Sequence, residues 1–466
     1  MFTTLIQILE FFIYGHIGAY AVFYLLTLLI FLIRVIPGWF YKPYTGLICR
    51  YSYTGLNCRY SYTVLNCRYS NKDTSVIIPV VDEPECLFKD VLTRIQKQCP
   101  GELIVVINGP KNELLEKICI QFSRLYNNFK WIYTPIPGKR NALVQGLNLA
   151  RKPILVLVDS DTIWEDNTLQ ELIKPFGDGL VGGVTTKQRI LNTNQGIIPK
   201  FADWTENIRN TYSFKSYSVF GQIGCLPGRT IAIRKVCFDR CAKQFLEEKF
   251  LGIRLEYSDD RSLTNYILKQ GYKTVYQETS QVYTTAPVTW KKYTKQQLRW
   301  ARGCQYNNLR MFGWMIRKTP YLGLLFLLDT LLPFAVVGSI VGAITSSLLR
   351  NNIRASIIHN TPIDRFPIYF TCFVVSIILV TVLKFLPLVI KEPKQLFYLP
   401  IFTFLSLFYI TPIRIIGFIT MAMDESWGTR EGGYTYSSNE INPKKYIPSL
   451  IGITLIVLFS FLFYIY

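Results

Sequence analysis

The chain has 466 residues, of which 50% are hydrophobic, 15% aromatic and 18% charged; a soluble domain carries nearer ~25% charged residues, so part of this chain lies in lipid. Its 51 basic and 31 acidic residues leave a net charge of +20, and with no nucleic-acid motif beside it that excess points to cytoplasmic retention and anionic lipid, not to nucleic acid. The two histidines, His16 and His359, lie in or beside apolar segments, which excludes a Ser-His-Asp triad, an HExxH zinc site and a Cys-His pair from the soluble part.

Residues 2–36 are largely apolar, with one acid, Glu10, and a Gly15-His16 break. His16–Ile36 is long enough for one span. It lacks the short hydrophobic core and small-residue cleavage site of a secretory signal, so a retained anchor is expected. Residues 2–14 form either another span or an interfacial helix, and the interface is preferred because the segment is too short to cross. Thr45–Ser70 carries a nine-residue repeat, TGLICRYSY, TGLNCRYSY, TVLNCRYS, which spaces Cys49, Cys58 and Cys67 by nine. One extended nonamer cannot bring three thiolates to a common tetrahedral centre without sharp turns, so a duplicated linker is expected in preference to a metal device. The eleven cysteines include no CxxC pair and read as reduced, buried apolar residues.

From Ser75 to Gly303 short β-branched runs alternate with helical patterns. Ser75-Val-Ile-Ile-Pro-Val-Val, Leu103-Ile-Val-Val-Ile-Asn-Gly and Ile154-Leu-Val-Leu-Val are strands, and Glu113–Leu125 and Lys139–Ala150 are helices between them. That order predicts a mainly parallel sheet with helices on both faces. Ligands bind such sheets beyond the carboxyl ends of the strands. Farther on, Tyr321–Leu349, Phe366–Ile390 and Tyr446–Tyr466 are long enough to span a bilayer. Leu396–Met423 holds Pro400, Pro412 and Arg414 and ends at a polar loop, 424–442. If residues 75–303 and 424–442 share one side, that segment lies in the interface or re-enters.

Three strings carry candidate chemistry. Asp159-Ser160-Asp161 follows a buried strand, where two carboxylates one residue apart can hold a divalent cation that bridges a diphosphate. The same residues can equally cap the helix expected over Thr162–Leu172. Asp259 and Asp260 precede the helical run Ser262–Lys269 and read either as caps or as a general base whose pKa a neighbouring carboxylate raises. Gln296, Arg299 and Trp300 share one helix face. They offer a guanidinium for phosphate and a flat ring for a sugar, or else the polar side of a surface helix with Lys291, Lys292, Lys295 and Arg302.

The ordered combination of Asp159-Ser160-Asp161, Asp259-Asp260 and Gln296-Gln-Leu-Arg299-Trp300, flanked by membrane spans, resembles the processive glycosyltransferases of family 2. These include hyaluronan, chitin and cellulose synthases, and the resemblance covers residues 41–310 and 424–431. Tyr41-Lys-Pro-Tyr-Thr-Gly, Asp259-Asp260-Arg-Ser-Leu-Thr-Asn and Ser426-Trp427-Gly428-Thr429-Arg430 are most similar to strings of hyaluronan synthases. Two features depart from that pattern. Asn108-Gly109 stands where the family usually has an aspartate. Gly224-Cys-Leu-Pro-Gly-Arg-Thr replaces a CxGP-type string and looks more like capsule-type polysaccharide synthases of bacteria and fungi.

The resemblance implies an α/β fold: a cytosolic GT-A-type nucleotide-sugar transferase domain with a mainly parallel sheet, set between transmembrane and interfacial helices. The expected layout is an anchor over 1–40, the repeat linker over 41–72 and the transferase domain over 73–303. Interfacial and transmembrane helices follow over 304–423, then a gating loop over 424–442 and a last span over 443–466. By resemblance, Asp82, Glu83, Asn108, Lys139, Arg140 and Asp159 bind the nucleotide sugar. Gln296 and Arg299 frame the pyrophosphate, and Trp427, Gly428, Thr429 and Arg430 close over it. Asp159 and Asp161 hold Mn2+ or Mg2+, and Asp260, beside Asp259, is the catalytic base. Cys225, Gly228, Arg229 and Trp300 line the acceptor side.

The implied function is inverting, processive polymerisation of UDP-sugars into a hyaluronan-like extracellular polysaccharide. The polymer leaves through the enzyme's own membrane helices. The implied setting is a multi-pass protein of the cell membrane, working alone, as a homo-oligomer or with an accessory export protein, and binding no nucleic acid. A homopolymer synthase of chitin, cellulose or capsule type, and a non-processive transferase acting on a lipid, are the alternatives.

Overall fold

The structure, a computed structural model, describes residues 29–45, 48–52, 61–65, 69–254, 258–357, 385–386, 389–390, 392–423 and 442–465. In chain order its strands are β1 (Ile48–Ser52), β2 (Ser61–Leu65), β3 (Thr74–Val80), β4 (Glu102–Asn108), β5 (Phe129–Thr134) and β6 (Ile154–Val158). They continue with β7 (Ile163–Trp164), β8 (Val181–Ile190), β9 (Thr230–Arg234), β10 (Lys249–Phe250), β11 (Ile253–Arg254) and β12 (Lys273–Thr284). Eight of them form one sheet in the order β5-β4-β3-β6-β9-β8-β12-β7. Strands β5, β4, β3 and β6 run parallel. Strand β9 is antiparallel to both β6 and β8, β12 is parallel to β8, and β7 is antiparallel to β12. This is the mainly parallel sheet that the strand–helix alternation predicts, in the GT-A-like form that the resemblance implies.

Uninterrupted apolar runs make strands that are covered on both faces. Every residue of β3, β4 and β6 is buried. Alternate side chains point to opposite faces, so each strand feeds two cores. Val76, Ile78, Leu103 and Val105 pack with Phe88 and Leu92 of helix α1 (Glu85–Lys97) and Leu115 and Ile118 of α2 (Glu113–Leu125). Ile77, Ile104 and Val106 pack on the other side with Ala142 and Leu147 of α3 (Lys139–Leu149). That contact is close, because a Cβ at Gly146 would stand 2.5 Å from Ile77 Cγ2. Three further helices complete the frame of the site: α4 (Ile197–Ile208), α5 (Asp259–Lys269) and α6 (Trp290–Lys318).

The repeat differs from a plain linker. Strands β1 and β2 pair antiparallel, with Ile48 opposite Leu65 and Ser52 opposite Ser61, because its Ile, Tyr, Val and Thr residues favour extended backbone.

Cα packing divides the chain into two compact units. One is Pro37–Leu322 with Met421–Lys445; the other is Met1–Ile36 with Gly323–Thr420 and Tyr446–Tyr466. Among the described residues, three helical stretches are long and apolar enough to cross a bilayer: Pro320–Gly338, Pro393–Ile419 and Pro443–Phe461. They mark a membrane protein. Leu396–Met423, expected to lie in the interface or to re-enter, is helical through Ile419, and Pro393–Ile419 is long enough for a span, with a π-turn at Leu405–Ile410 carrying the helix past Pro412. Within the second unit, glycines let helices approach as they do in lipid: a Cβ at Gly338 would stand 2.4 Å from Phe459 Cβ, and one at Gly452 2.8 Å from Ile419. Arg34 and Asp329 form an ion pair there. Most of Phe366–Ile390 and residues 1–28 lie outside the described residues.

Candidate active site

The parallel strands β3, β4 and β6 end along one edge, and the polar residues that follow them collect there. Glu83 is buried and its Oε1 accepts a 2.7 Å hydrogen bond from Ser160 Oγ, tying the turn after β3 to the turn after β6. Asp82 accepts a long bond from Asn112, the N-cap of α2. Asn108, at the end of β4, is buried, and among the described residues its Nδ2 has no partner. A buried donor left so costs roughly 1–3 kcal/mol unless something else fills the bond.

A cleft opens beside this edge, lined by Lys139, Asp159, Gly228, Asp259, Asp260 and Leu263 among others. Each polar member comes from a different element. Lys139 begins α3, Asp159 follows β6, and the Asp259-Asp260 pair begins α5. Lys139 Nζ lies 2.7 Å from Asp159 Oδ1 and 3.3 Å from Asp259 Oδ2. Burial penalises its ammonium, yet those carboxylates together raise its pKa and keep it charged. Asp260 is held differently: Oδ1 accepts from the Arg261 N–H at 2.8 Å and Oδ2 from the Gly228 N–H at 3.3 Å, with the Cys225 thiol 3.6 Å away. Burial, and then the charge of Asp259, push the Asp260 carboxyl above its usual range, against a partial offset from Lys139.

The segment Gly224–Thr230 links this cleft to a second one. Besides the Cys225 and Gly228 contacts to Asp260, its Arg229 carbonyl accepts from the Asp159 N–H at 3.2 Å. The Arg229 side chain turns the other way. It pairs with Glu206 of α4 at 2.9 Å, donates to Gln188 at 2.9 Å, and lies 5.9 Å from the centre of the Trp300 ring. Glu206, Arg229, Tyr293, Gln296, Gln297 and Trp300 line that second cleft. Trp300 is 38% exposed, an open ring face on α6. Arg299 is half-buried on the same helix, and Asp161 is half-buried after β6. Glu206 and Gln188 carry no motif of their own, and only the packing of α4 on β8 brings them here.

Arg140 does not join its neighbour Lys139. It is 2% exposed, and its guanidinium donates to Glu248 at 3.1 Å, Ser262 at 3.0 Å, Tyr306 at 3.0 Å and the Phe245 carbonyl at 2.9 Å. Consecutive helical residues project about 100° apart, so one faces the cleft and the other the packed side of α3. The structure places it in a buried polar network and not in the lining of the cleft. Glu248 is the hub: Arg310 reaches it at 2.9 Å from α6, and Ser262 at 2.8 Å from α5. Its carboxyl is buried, but Arg140 and Arg310 outweigh that burial and hold its pKa low. Helices α5 and α6 also meet at Gly303, where a Cβ would stand 2.4 Å from Ser258 Cβ. Ser258, immediately before the carboxylate pair, has φ 70°, a left-handed backbone unusual for a non-glycine residue. Trp427, Gly428, Thr429 and Arg430 lie outside the described residues.

The family model for glycosyltransferase like family 2 matches residues 71–303, half of the chain. The chain belongs to glycosyltransferase family 2. It is 26% identical over 385 residues to a type 2 glycosyltransferase of Gibberella zeae, a match covering 80% of this chain and 71% of that relative. It is 25% identical over 294 residues to the hyaluronan synthase of Streptococcus pyogenes, covering 63% of this chain and 66% of the synthase. It is 26% identical over 371 residues to an N-acetylglucosaminyltransferase of Rhizobium meliloti, covering 78% and 82%. Its fold is similar to that of a Pyrobaculum calidifontis mannosyltransferase solved with GDP-Man and Mn2+. The TM-score is 0.52 at 16% identity, covering 88% of this chain and 96% of that one.

Proposed function

We propose that this transferase is an inverting, processive synthase that builds a hyaluronan-like polysaccharide from UDP-sugars at the cell membrane, with its catalytic domain cytosolic, and passes the polymer through its own membrane helices. One observation carries the reading. Gly224–Thr230 contacts Asp159 and Asp260 on one side and stacks Arg229 near Trp300 on the other, so a donor held at the strand ends and a sugar on Trp300 would meet at Asp260. In this reading Asp260 takes the proton of the acceptor hydroxyl, the hydroxyl oxygen bonds to the anomeric carbon, and the bond to UDP breaks on the opposite face. Lys139 and Arg299 face the charge of the departing diphosphate, and the open Asn108 amide serves the nucleotide.

Asp159 and Asp161 offer hard oxygens one residue apart, a donor set suited to Mn2+ or Mg2+. Among the described residues no group of three or more His, Cys, Asp or Glu could hold a metal ion, so such an ion would depend on diphosphate and water for the rest of its shell. When bound, it neutralises charge on the leaving group. The membrane helices support extrusion, since a hydrophilic polymer cannot cross ~30 Å of hydrocarbon unaided.

The test is the purified full chain in detergent with Mn2+, given UDP-GlcNAc and UDP-GlcA separately and together, with UDP release and polymer scored. Polymer only with both sugars supports the hyaluronan-type reading. Polymer from one sugar alone makes this a homopolymer synthase, and the departure in the Gly224–Thr230 string is then the reason. UDP release with a single-sugar product would identify a non-processive transferase.

Two further outcomes are expected. A base works only when deprotonated, so the acid limb of the kcat–pH profile should lie above the ordinary aspartate value of about 3.9, following the raised Asp260 pKa; a limb at or below that value would remove Asp260 from the role. Gly303→Ala should lower kcat by roughly 10- to 100-fold, because the new methyl displaces Ser258 and with it the carboxylate pair, and shifts of about 1 Å carry costs of that order. Steady-state kinetics beside a melting curve checks it, and an unchanged kcat would show that the α5–α6 contact does not set the site.

A further inference from the structure

The donor cleft already contains a cation. Lys139 Nζ stands between the carboxylate that ends β6 and the first carboxylate of α5, with its side chain 13% exposed. It is also boxed in: a Cβ at Gly228 would lie 3.2 Å from Nζ and 3.7 Å from both Asp159 oxygens. Asp260 places a third carboxylate in the same cleft. Asp159 is also one of the two candidate metal ligands, so the ammonium on its Oδ1 opposes a divalent cation at that carboxylate, while Lys139 and Arg261 both offset the crowding of charge at Asp260. An ammonium left without its carboxylates needs another anion, and the diphosphate of a donor supplies one.

Resting on the reading above, we propose that Lys139 is the internal counter-cation of the donor site. With no donor bound it holds Asp159 and Asp259 together and keeps a divalent cation from binding alone. An arriving diphosphate draws the ammonium onto itself, so cation and nucleotide enter together. The order of binding is then built into the site: the metal does not precede the nucleotide.

The test follows free Mn2+ by its electron paramagnetic resonance signal, using the full chain in detergent, with and without saturating UDP. Wild type should bind Mn2+ at least about tenfold more tightly with UDP than without it. Lys139→Met and Lys139→Gln, which both remove the charge, should bind Mn2+ alone about tenfold more tightly than wild type, and the gain from adding UDP should shrink by the same factor. Lys139→Arg keeps the charge and should stay like wild type without UDP. Equal Mn2+ affinity of wild type and both neutral variants in the absence of UDP overturns the proposal. So does a Lys139→Arg variant that behaves like the neutral ones, since charge would then not be the cause. A chain that neither binds UDP nor releases it from any nucleotide sugar sinks the functional reading instead, while the titrations with Mn2+ alone still decide what Lys139 does.

Discussion

Asp260→Asn should lower turnover by about 100- to 10,000-fold, the usual contribution of a general base, while UDP affinity changes little. The substitution is nearly isosteric. The amide oxygen can still accept from the Arg261 or Gly228 N–H groups that hold the carboxylate now, so the start of α5 keeps its place. What it loses is the capacity to take a proton. Asp259→Asn is the informative companion, because Asp259 is buried and faces Lys139. Its loss should disturb the ammonium and therefore donor binding as well as turnover. Initial rates of UDP release, beside UDP titrations of each variant, separate the two. An Asp260→Asn enzyme that retained more than about a tenth of the wild-type rate would not have lost its base.

Glu248→Leu should be the most destabilising single change in the transferase domain. Removing one partner of a buried ion pair leaves an unpaired charge and costs ~3–5 kcal/mol. Here the carboxylate serves two arginines, Arg140 at 3.1 Å and Arg310 at 2.9 Å, so one buried and one half-buried cation lose their partner at once. In a domain of this size that corresponds to a fall in Tm of roughly 6–20 °C. Arg140→Met should cost less, because Arg310 still neutralises Glu248. Below its melting temperature, Arg140→Met should also keep near-normal UDP affinity, whereas a diphosphate-binding arginine would lose it. Melting curves in detergent with a UDP titration decide both points. A Tm within about 2 °C of wild type for Glu248→Leu would mean that the network is not what locks α3, α5 and α6 together.

Lys139 and Arg140 mark where the sequence stops being informative. As a dipeptide they look equivalent, two cations after a glycine, and the resemblance gives them one joint role. Helical geometry separates them: one side chain enters the cleft and the other is sealed behind it. Gly303 and Glu248 are illegible for a related reason. Neither belongs to a string with a chemical signature, and their importance lies in what packs against them from parts of the chain 45 and 108 residues away, Ser258 and Arg140.

The sequence by itself determined what depends on local order. Apolar runs ending in polar turns require buried parallel strands with ligands at their carboxyl ends. Apolar stretches of membrane length require lipid, and the spacing of Asp159, Asp260 and Trp300 carries the family. The tertiary structure alone decided what depends on packing between distant segments. It gave Lys139 to two carboxylates from different elements, turned Arg140 away, and made Gly224–Thr230 the wall between the two clefts. It also paired two stretches of the repeat that read as a linker. The physical reason is the same throughout: periodicity records which face of an element is buried, but the partner that a buried charge or a glycine meets is chosen only when the elements come together.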